Sequence, residues 1–295
     1  MKELIRCSNL HFSYNEKEIL HGIDFSVQQG GIVGLLGKNG AGKSTTINIL
    51  MGFLQPDAGE CTVLGYPSHS IPPSARKRIG LLHEGFIQYD FMSIEEIERY
   101  YAPYYPGWNN ALYYDLVDRM RVPHSRKVAR LSCGQRSQVT LGLILAQRPD
   151  LMILDDFSMG LDVGYRRLFL EFLRDYVDQH ATTVLLTSHI VQELDSFLDE
   201  IVIVQEGSII VSKKKDEFMN SFFCYSLQGD DHLQIVPAGP VMRVERGKGK
   251  TCVYGFADIQ TMQHHLRVQC SLPDAELTRI PLSFEDAFIG LTGRY

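Results

Sequence analysis

Eight residues carry the clearest chemistry in this chain: GKNGAGKS, Gly37 to Ser44, fills every fixed position of the phosphate-loop pattern G-x-x-x-x-G-K-[ST]. Gly37, Gly40 and Gly42 let the backbone turn until successive N–H groups face phosphate oxygens, and a helix beginning at the end of the loop adds its partial positive charge. Lys43 would reach the β- and γ-phosphates, and the Ser44 hydroxyl would bind Mg2+. The chemistry is that of holding a nucleoside triphosphate with its cation.

Other residues could share that chemistry. The run LMILDD is an apolar strand ending in two carboxylates, and Asp155 at the carboxyl end of a buried strand is where an open α/β sheet presents a Mg2+ ligand. TTVLLTS reads as a second buried strand with His189 just past its end, and RKRIGLLHEGFIQYD as a short strand leading into a polar loop that holds Glu84. LSCGQ, Leu131 to Gln135, lies immediately before a helix. Tyr14 sits in a polar turn upstream of the phosphate loop, where its ring could stack on a nucleotide base or serve as a half-buried edge-strand tyrosine.

These residues need elements to position them. GGIVGLL reads as a buried strand before the loop, and the stretch from Thr45 to Leu54 has helical spacing, with Ile47, Leu50, Met51 and Leu54 on one face. Leu4 to Val27 alternates like turn-broken strands, and QPDAGECTVLGY looks like a hairpin returning to that sheet. SIEEIERYYAPYY predicts a helix with Ser93 and Glu96 as a capping box, and ALYYDLVDRMRV a second amphipathic helix. The aromatic cluster from Tyr100 to Trp108 fits either a core stripe or an apolar patch offered to a protein partner. YRRLFLEFLRDYV gives a further helix, and strands alternating with helices imply a largely parallel sheet. From about Asp216 the pattern changes to short strands (FFCYSLQ, PVMRVER, KTCVYGF) and two short helices, with QGDDHLQIVPAGP as a loop and Lys213 to Lys215 as a solvated turn.

Bulk properties narrow the partners. A net charge of -6 supplies no overall basic field for DNA or RNA, so no nucleic acid is expected. The six cysteines are scattered without metal-ligand spacing and read as reduced thiols. The start MKELIRCSNL is broken by charges, and the longest apolar run, Val139 to Ala146, is far short of the about twenty residues a membrane span needs. Any membrane role must come through a partner.

Taken together, the upstream tyrosine, phosphate loop, LSCGQ, LMILDD, GLD and strand-end histidine, in this order and spacing, resemble the ATP-binding cassette (ABC) ATPases from about Glu3 to Lys215. The resemblance implies a P-loop α/β domain over 1–215, with a parallel-sheet core, an antiparallel β subdomain and a helical insertion at about 85–150. Residues 216–295 would form a small α+β accessory domain. It further implies that Tyr14 stacks on adenine and that Gly37, Lys38, Asn39, Gly40, Ala41, Gly42, Lys43, Ser44 and Thr45 wrap the phosphates of ATP. Asp155, Ser44 and Glu84 would lie at Mg2+, and His189 would contact the γ-phosphate. Ser132 and Gly134, with Gln135 beside them, would meet ATP held by a second subunit in a head-to-tail dimer, and Asp162 would lie in the loop between the two sites. LSCGQ departs from the family's LSGGQ at Cys133, and Glu84 stands where the family most often has Gln.

A third departure bears on rate. The family usually places Glu after the strand-end Asp to polarise the attacking water, and here that residue is Asp156. The side chain is one methylene shorter, about 1.5 Å of reach. Misplacement of about 1 Å can cost on the order of a hundredfold in phosphoryl transfer. The expectation is normal ATP binding with slow hydrolysis.

One cassette without a membrane span predicts the ATPase subunit of an exporter whose transmembrane permease subunits are separate chains, placed at the cytoplasmic face of the membrane. SFEDAFIGLTGRY resembles the closing helix of the extension carried by drug, antibiotic, peptide or polymer exporter subunits. The alternative is a slow or non-hydrolysing nucleotide sensor or immunity module. The transported substrate, its direction, and homodimer against heterodimer stay open at this level.

Overall fold

The structure, a computed structural model, describes residues 2–83, 89–158, 161–188, 190–228, 235–247, 250–269 and 276–293. It divides into two compact units, Met1–Glu193 with Phe197–Ser212, and Leu194–Ser196 with Lys213–Tyr295.

In the first unit, two long strands, β1 (Glu3–Tyr14) and β2 (Lys17–Gln28), pair antiparallel across the turn at Asn15, with β3 (Gly31–Leu36) following. The alternation seen in the sequence becomes a sheet with one buried face: Ile5, Leu10, Leu20, Ile23 and Val27 are all fully enclosed. After α1 (Lys43–Leu50), β4 (Ala58–Val63) pairs with β1, and β5 (Tyr66–Pro67) turns back on β4 through Leu64 and Gly65, both at positive φ. The first sheet therefore has the order β2-β1-β4-β5. Next come α2 (Pro73–Arg76), β6 (Ile79–Leu82), α3 (Ile94–Tyr101), α4 (Asn110–Asp118), α5 (Cys133–Ala146), β7 (Leu151–Leu154), α6 (Val163–Gln179), β8 (Thr183–Ser188), β9 (Glu200–Gln205) and β10 (Ser208–Lys214). They build a second sheet in the order β10-β9-β3-β8-β7-β6. Its strands β9, β3, β8, β7 and β6 run parallel, and their near-continuous Leu, Ile and Val content suits a sheet covered on both faces. A core shared by the two sheets and α1 includes Leu35, Ile47, Leu151, Ile153 and Leu185.

The helical segment has a smaller core of its own, in which Ile94, Ile97, Tyr113, Val117, Val139 and Leu143 pack together. Tyr113 is fully buried and satisfies its hydroxyl on the Ile94 carbonyl at 2.7 Å, and burial pushes its pKa well up. The aromatic cluster divides between the two readings: Tyr101 and Trp108 pack on this core, whereas Tyr100 and Tyr104 are exposed.

α1 is shorter at its end than the apolar spacing to Leu54 suggested. The Phe53 amide bonds back to Asn48 and the Gly52 amide to Ile49, while Gly52 adopts φ 70°, so a Schellman turn stops the helix. A Cβ at Gly52 would also stand 2.3 Å from the Ser68 carbonyl oxygen, which leaves only glycine for this turn.

The second unit carries α7 (Lys215–Ser221), β11 (Phe223–Gln228), β12 (Val241–Gly247), β13 (Lys250–Gly255), α8 (Ile259–Gln269), β14 (Leu277–Ile280) and α9 (Phe284–Thr292). Its sheet has the order β12-β13-β11-β14 and is antiparallel, over a core that includes Tyr225, Leu227, Val253, Met262 and Leu266. One expectation is corrected here. The Lys213 to Lys215 run is no turn: it closes β10 and opens α7, and Lys215 donates to the Asp195 carbonyl and pairs with Asp195 Oδ1 at 3.0 Å.

Candidate functional site

The site gathers at the carboxyl ends of β3, β7 and β8, the edge where an open parallel sheet leaves a crevice. From β3 the chain enters the loop at Gly37, where a Cβ would lie 2.4 Å from the Val204 carbonyl oxygen of β9. A side chain at that position would push the loop off its neighbouring strand. At the far end, Gly42 stands at φ 104° as the residue before α1, a conformation that side chains rarely adopt. No side chain caps α1, and its first turn holds no acidic residue. Its N-terminal amides and its dipole are thus left for an anionic ligand.

Lys43 opens that helix and folds under the loop, donating to the carbonyls of Gly37 at 2.7 Å and Lys38 at 2.9 Å. Burial pushes its pKa down, and the nearby carboxylates of Asp156 and Asp155 oppose that shift. The ammonium therefore occupies a half-desolvated place, held between loop carbonyls and negative charge.

Asp155 is 1% exposed at the end of β7. One of its oxygens, Oδ1, accepts from Thr187 Oγ1 at 2.7 Å and from Ser44 Oγ at 3.3 Å. The other, Oδ2, is buried and has no hydrogen-bond partner among the described residues. An unsatisfied buried carboxylate oxygen is costly, and a hard cation or its water satisfies it. Ser44 and Asp155 therefore fit Mg2+ by donor type and by the oxygen left over.

Asp156 follows with φ 43°, a left-handed backbone that an Asp tolerates better than most residues. Its amide donates to Thr187 Oγ1 at 2.8 Å, and its Oδ1 accepts from Ser158 at 3.4 Å. Thr187 and Ser188 were not singled out in the sequence. Ser188 Oγ donates to the Ile190 carbonyl at 3.1 Å and accepts from the Ile190 amide at 3.0 Å, so it ties Ile190 to the end of β8. The available signal was a pair of hydroxyl residues closing an otherwise apolar strand at the ligand edge of the sheet. His189 and Glu84 themselves lie outside the described residues.

Ser132, Gly134 and Gln135 are brought together with each other and not with the loop. The Ser132 hydroxyl accepts from the Gln135 amide at 3.3 Å, and the Ser132 amide donates to Gln135 Oε1 at 3.1 Å, a reciprocal cap on α5. Among the described residues no hydrogen bond joins these three to Gly37–Thr45. Gly134 is buried beneath the Tyr165 ring, whose atoms would stand 2.4 Å from a Cβ there. Asp162 caps α6 by accepting from the Tyr165 amide at 2.9 Å. Arg166, one residue on, forms a two-pronged pair with Glu193 at 2.9 and 3.0 Å, tying the start of α6 to the segment after β8. Tyr14 keeps nearly half its surface free at the end of β1, with its ring edge-on to Phe12.

Several known proteins are similar to this chain. Residues 20–158 match the family described as ABC transporter. The Nod factor export ATP-binding protein I of Ralstonia nicotianae is 31% identical over 313 residues, covering 99% of this chain and 94% of that protein. The linearmycin resistance ATP-binding protein LnrL of Bacillus subtilis is 29% identical over 245 residues, 80% of this chain and 76% of that protein. Among solved structures, one described as an ATP binding subunit of ABC transporter superposes with a TM-score of 0.65 at 27% identity, covering 74% of this chain and 92% of that one.

Proposed function

This chain belongs to the ABC transporter family of ATP-binding proteins, and from that membership we propose that it is the ATP-hydrolysing subunit that powers an exporter. The observation that carries the reading is the buried, unpartnered Oδ2 of Asp155 beside Ser44, at the mouth of a loop whose helix N-terminus has no cap of its own. Mg2+, when bound there, neutralises charge on the β- and γ-phosphates.

The chain's own groups supply the rest. Loop amides and the N-terminus of α1 receive the phosphates, and Lys43 exchanges the carbonyls of Gly37 and Lys38 for phosphate oxygens. Tyr14 offers an exposed aromatic face to the base. Asp156 is the candidate to orient the attacking water, and His189 the candidate for the γ-phosphate. Ser132 and Gly134 complete the site of a second cassette subunit, so two nucleotides are enclosed in a head-to-tail dimer. The Tyr165 ring packed on Gly134 leaves no room for a side chain there, so glycine is the residue this position takes.

In this reading separate transmembrane permease subunits complete the exporter and hold the chain at the cytoplasmic face; among the described residues no helix is long and apolar enough to cross a membrane. The test is binding of a fluorescent ATP to the full chain, followed by co-purification with a co-expressed polytopic membrane subunit. Expected are saturable binding lost in Lys43→Ala and a stable complex with the membrane subunit. Binding unaffected by Lys43→Ala, or steady association with ribosomes or DNA in place of the membrane subunit, overturns the reading.

A further inference from the structure

Thr187 is completely buried at the carboxyl end of β8, between two strands that it joins in parallel register: Thr187 lies opposite Leu35 of β3, and the preceding Leu186 lies opposite Leu154 of β7. Its side chain has one hydroxyl, and that hydroxyl is used twice. It donates to Asp155 Oδ1 at 2.7 Å and accepts from the Asp156 amide at 2.8 Å. A hydroxyl has one proton and so donates once. The proton goes to the carboxylate because the Asp156 amide is itself a donor and claims a lone pair. The direction of the chain of bonds is fixed: Asp156 N–H to Thr187 O–H to Asp155 carboxylate.

Two consequences follow from this direction. Oδ1 of Asp155 is committed to the protein by Thr187 and by Ser44, so Oδ2 is the oxygen left bare. Hydrogen bonds at one carboxylate oxygen restrict its rotation, so the bonds to Oδ1 set where the bare Oδ2 stands before a cation arrives. The same hydroxyl holds the amide of Asp156, whose φ of 43° is a sparsely populated backbone conformation and persists only where neighbours hold it. From this geometry we propose that Thr187 is a positioning residue for ATP hydrolysis, orienting both the carboxylate that faces the cation and the backbone that carries the candidate base.

The proposal rests on the ATPase reading above and makes a separate claim: one buried hydroxyl, touching no nucleotide, couples the cation site to the water-orienting site. Groups that orient metal ligands from behind change metal affinity or activity by about 10- to 100-fold when removed. Thr187→Val keeps the β-branched shape and deletes the hydroxyl, whereas Thr187→Ser keeps the hydroxyl and deletes the methyl group. Each separates packing from hydrogen bonding in the opposite sense.

The experiment measures equilibrium affinity of the full chain for a fluorescent ATP, with Mg2+ and with EDTA, and separately kcat and KM for Mg·ATP. In Thr187→Val the tightening brought by Mg2+ is expected to shrink about 10-fold, affinity in EDTA to stay unchanged, and kcat to fall about 10- to 100-fold. Thr187→Ser is expected within about threefold of the unaltered protein on every reading, as the hydrogen bonds are retained. Thr187→Cys, whose thiol is a weak donor, is expected between the two and serves where the valine variant does not fold. The proposal is overturned if Thr187→Val keeps its Mg2+-dependent tightening and its kcat, or if affinity falls equally in EDTA, which is the mark of a packing defect. If the unaltered protein shows no Mg2+-dependent tightening at all, the ATPase reading itself is what fails.

Discussion

In the role proposed for Asp156, orienting the attacking water, carboxylate reach would decide rate, and the backbone adds to the side-chain effect. Its left-handed φ sends the side chain out of the strand direction at once, and Ser158 then draws Oδ1 back toward the chain. If Asp156 is the water-orienting acid, a shorter side chain so placed is expected to reach that water less well than a glutamate. Asp156→Asn is expected to lower kcat by about 100-fold with ATP affinity retained, because the change removes base strength and leaves the phosphate contacts alone. Asp156→Glu is expected to raise kcat. Steady-state phosphate release with a parallel binding isotherm checks both, and a kcat indifferent to either substitution removes Asp156 from the role. At this scale the sequence was informative wherever chemistry has a fixed spacing, as at Gly37 to Ser44 and Asp155. It was silent on Thr187, since a threonine near the end of an apolar strand is ordinary until the strands are laid side by side and its hydroxyl is seen to meet both carboxylate residues.

Elements were legible through their ends. The spacing of Ser93 and Glu96 predicts a capping box, and the structure has both bonds, the Ser93 amide to Glu96 Oε2 at 2.6 Å and the Glu96 amide to Ser93 Oγ at 3.2 Å. Lys127 at 2.8 Å and then the Ser93 amide hold the Glu96 carboxyl down at about 2, from its ordinary 4.5. A depressed acid contributes its stability above its unfolded value and loses it as pH falls through the folded one. The contribution of Glu96 is therefore present above about pH 4.5 and disappears toward about pH 2. Thermal unfolding of Glu96→Gln and the unaltered protein should differ at neutral pH and converge across that window. A gap that stays constant with pH would exclude the ionised cap as its source.

The start of α5 was legible as a helix start, but its burial was not. Gly134 is in contact with Tyr165 of α6, a residue distant in sequence, so no local pattern could announce it. Gly134→Ala would place a methyl 2.4 Å from the base of that ring. Overpacking of this kind typically costs about 1–3 kcal/mol. The double variant Gly134→Ala with Tyr165→Ala should cost less than the sum of the single changes, as expected for residues sharing one space. Strict additivity in urea unfolding would show that the two do not compete. The end of α1 and the Lys213 to Lys215 run teach the same lesson: apolar spacing or charge alone missed a Schellman glycine and a helix start that only backbone hydrogen bonds and Asp195 reveal.

For the whole molecule, the decisive quantity is what a second copy must overcome. Within one chain Ser132 and Gln135 are occupied with each other, and no hydrogen bond connects them to the phosphate loop among the described residues. The reading above needs them to meet nucleotide on another cassette, so dimerisation must be driven by the nucleotide. Each chain carries a net charge of -6, and ATP adds further negative charge to the closing surfaces. Like net charges slow and weaken encounter at long range, and salt screens that repulsion over about 10 Å at 0.1 M. The short-range contacts proposed for Ser132 and Lys43 with phosphate would be screened far less. The closed homodimer is therefore expected to form with Mg·ATP in Asp156→Asn, where hydrolysis cannot reopen it. It should also be tighter at about 0.15 M than at about 0.01 M salt, opposite to an assembly held by complementary surface charge. Sedimentation velocity at the two ionic strengths reads both effects. A dimer that weakens with salt would place its driving force in opposite surface charges, and a chain that stays monomeric with Mg·ATP at every salt concentration would require a different cassette as its partner.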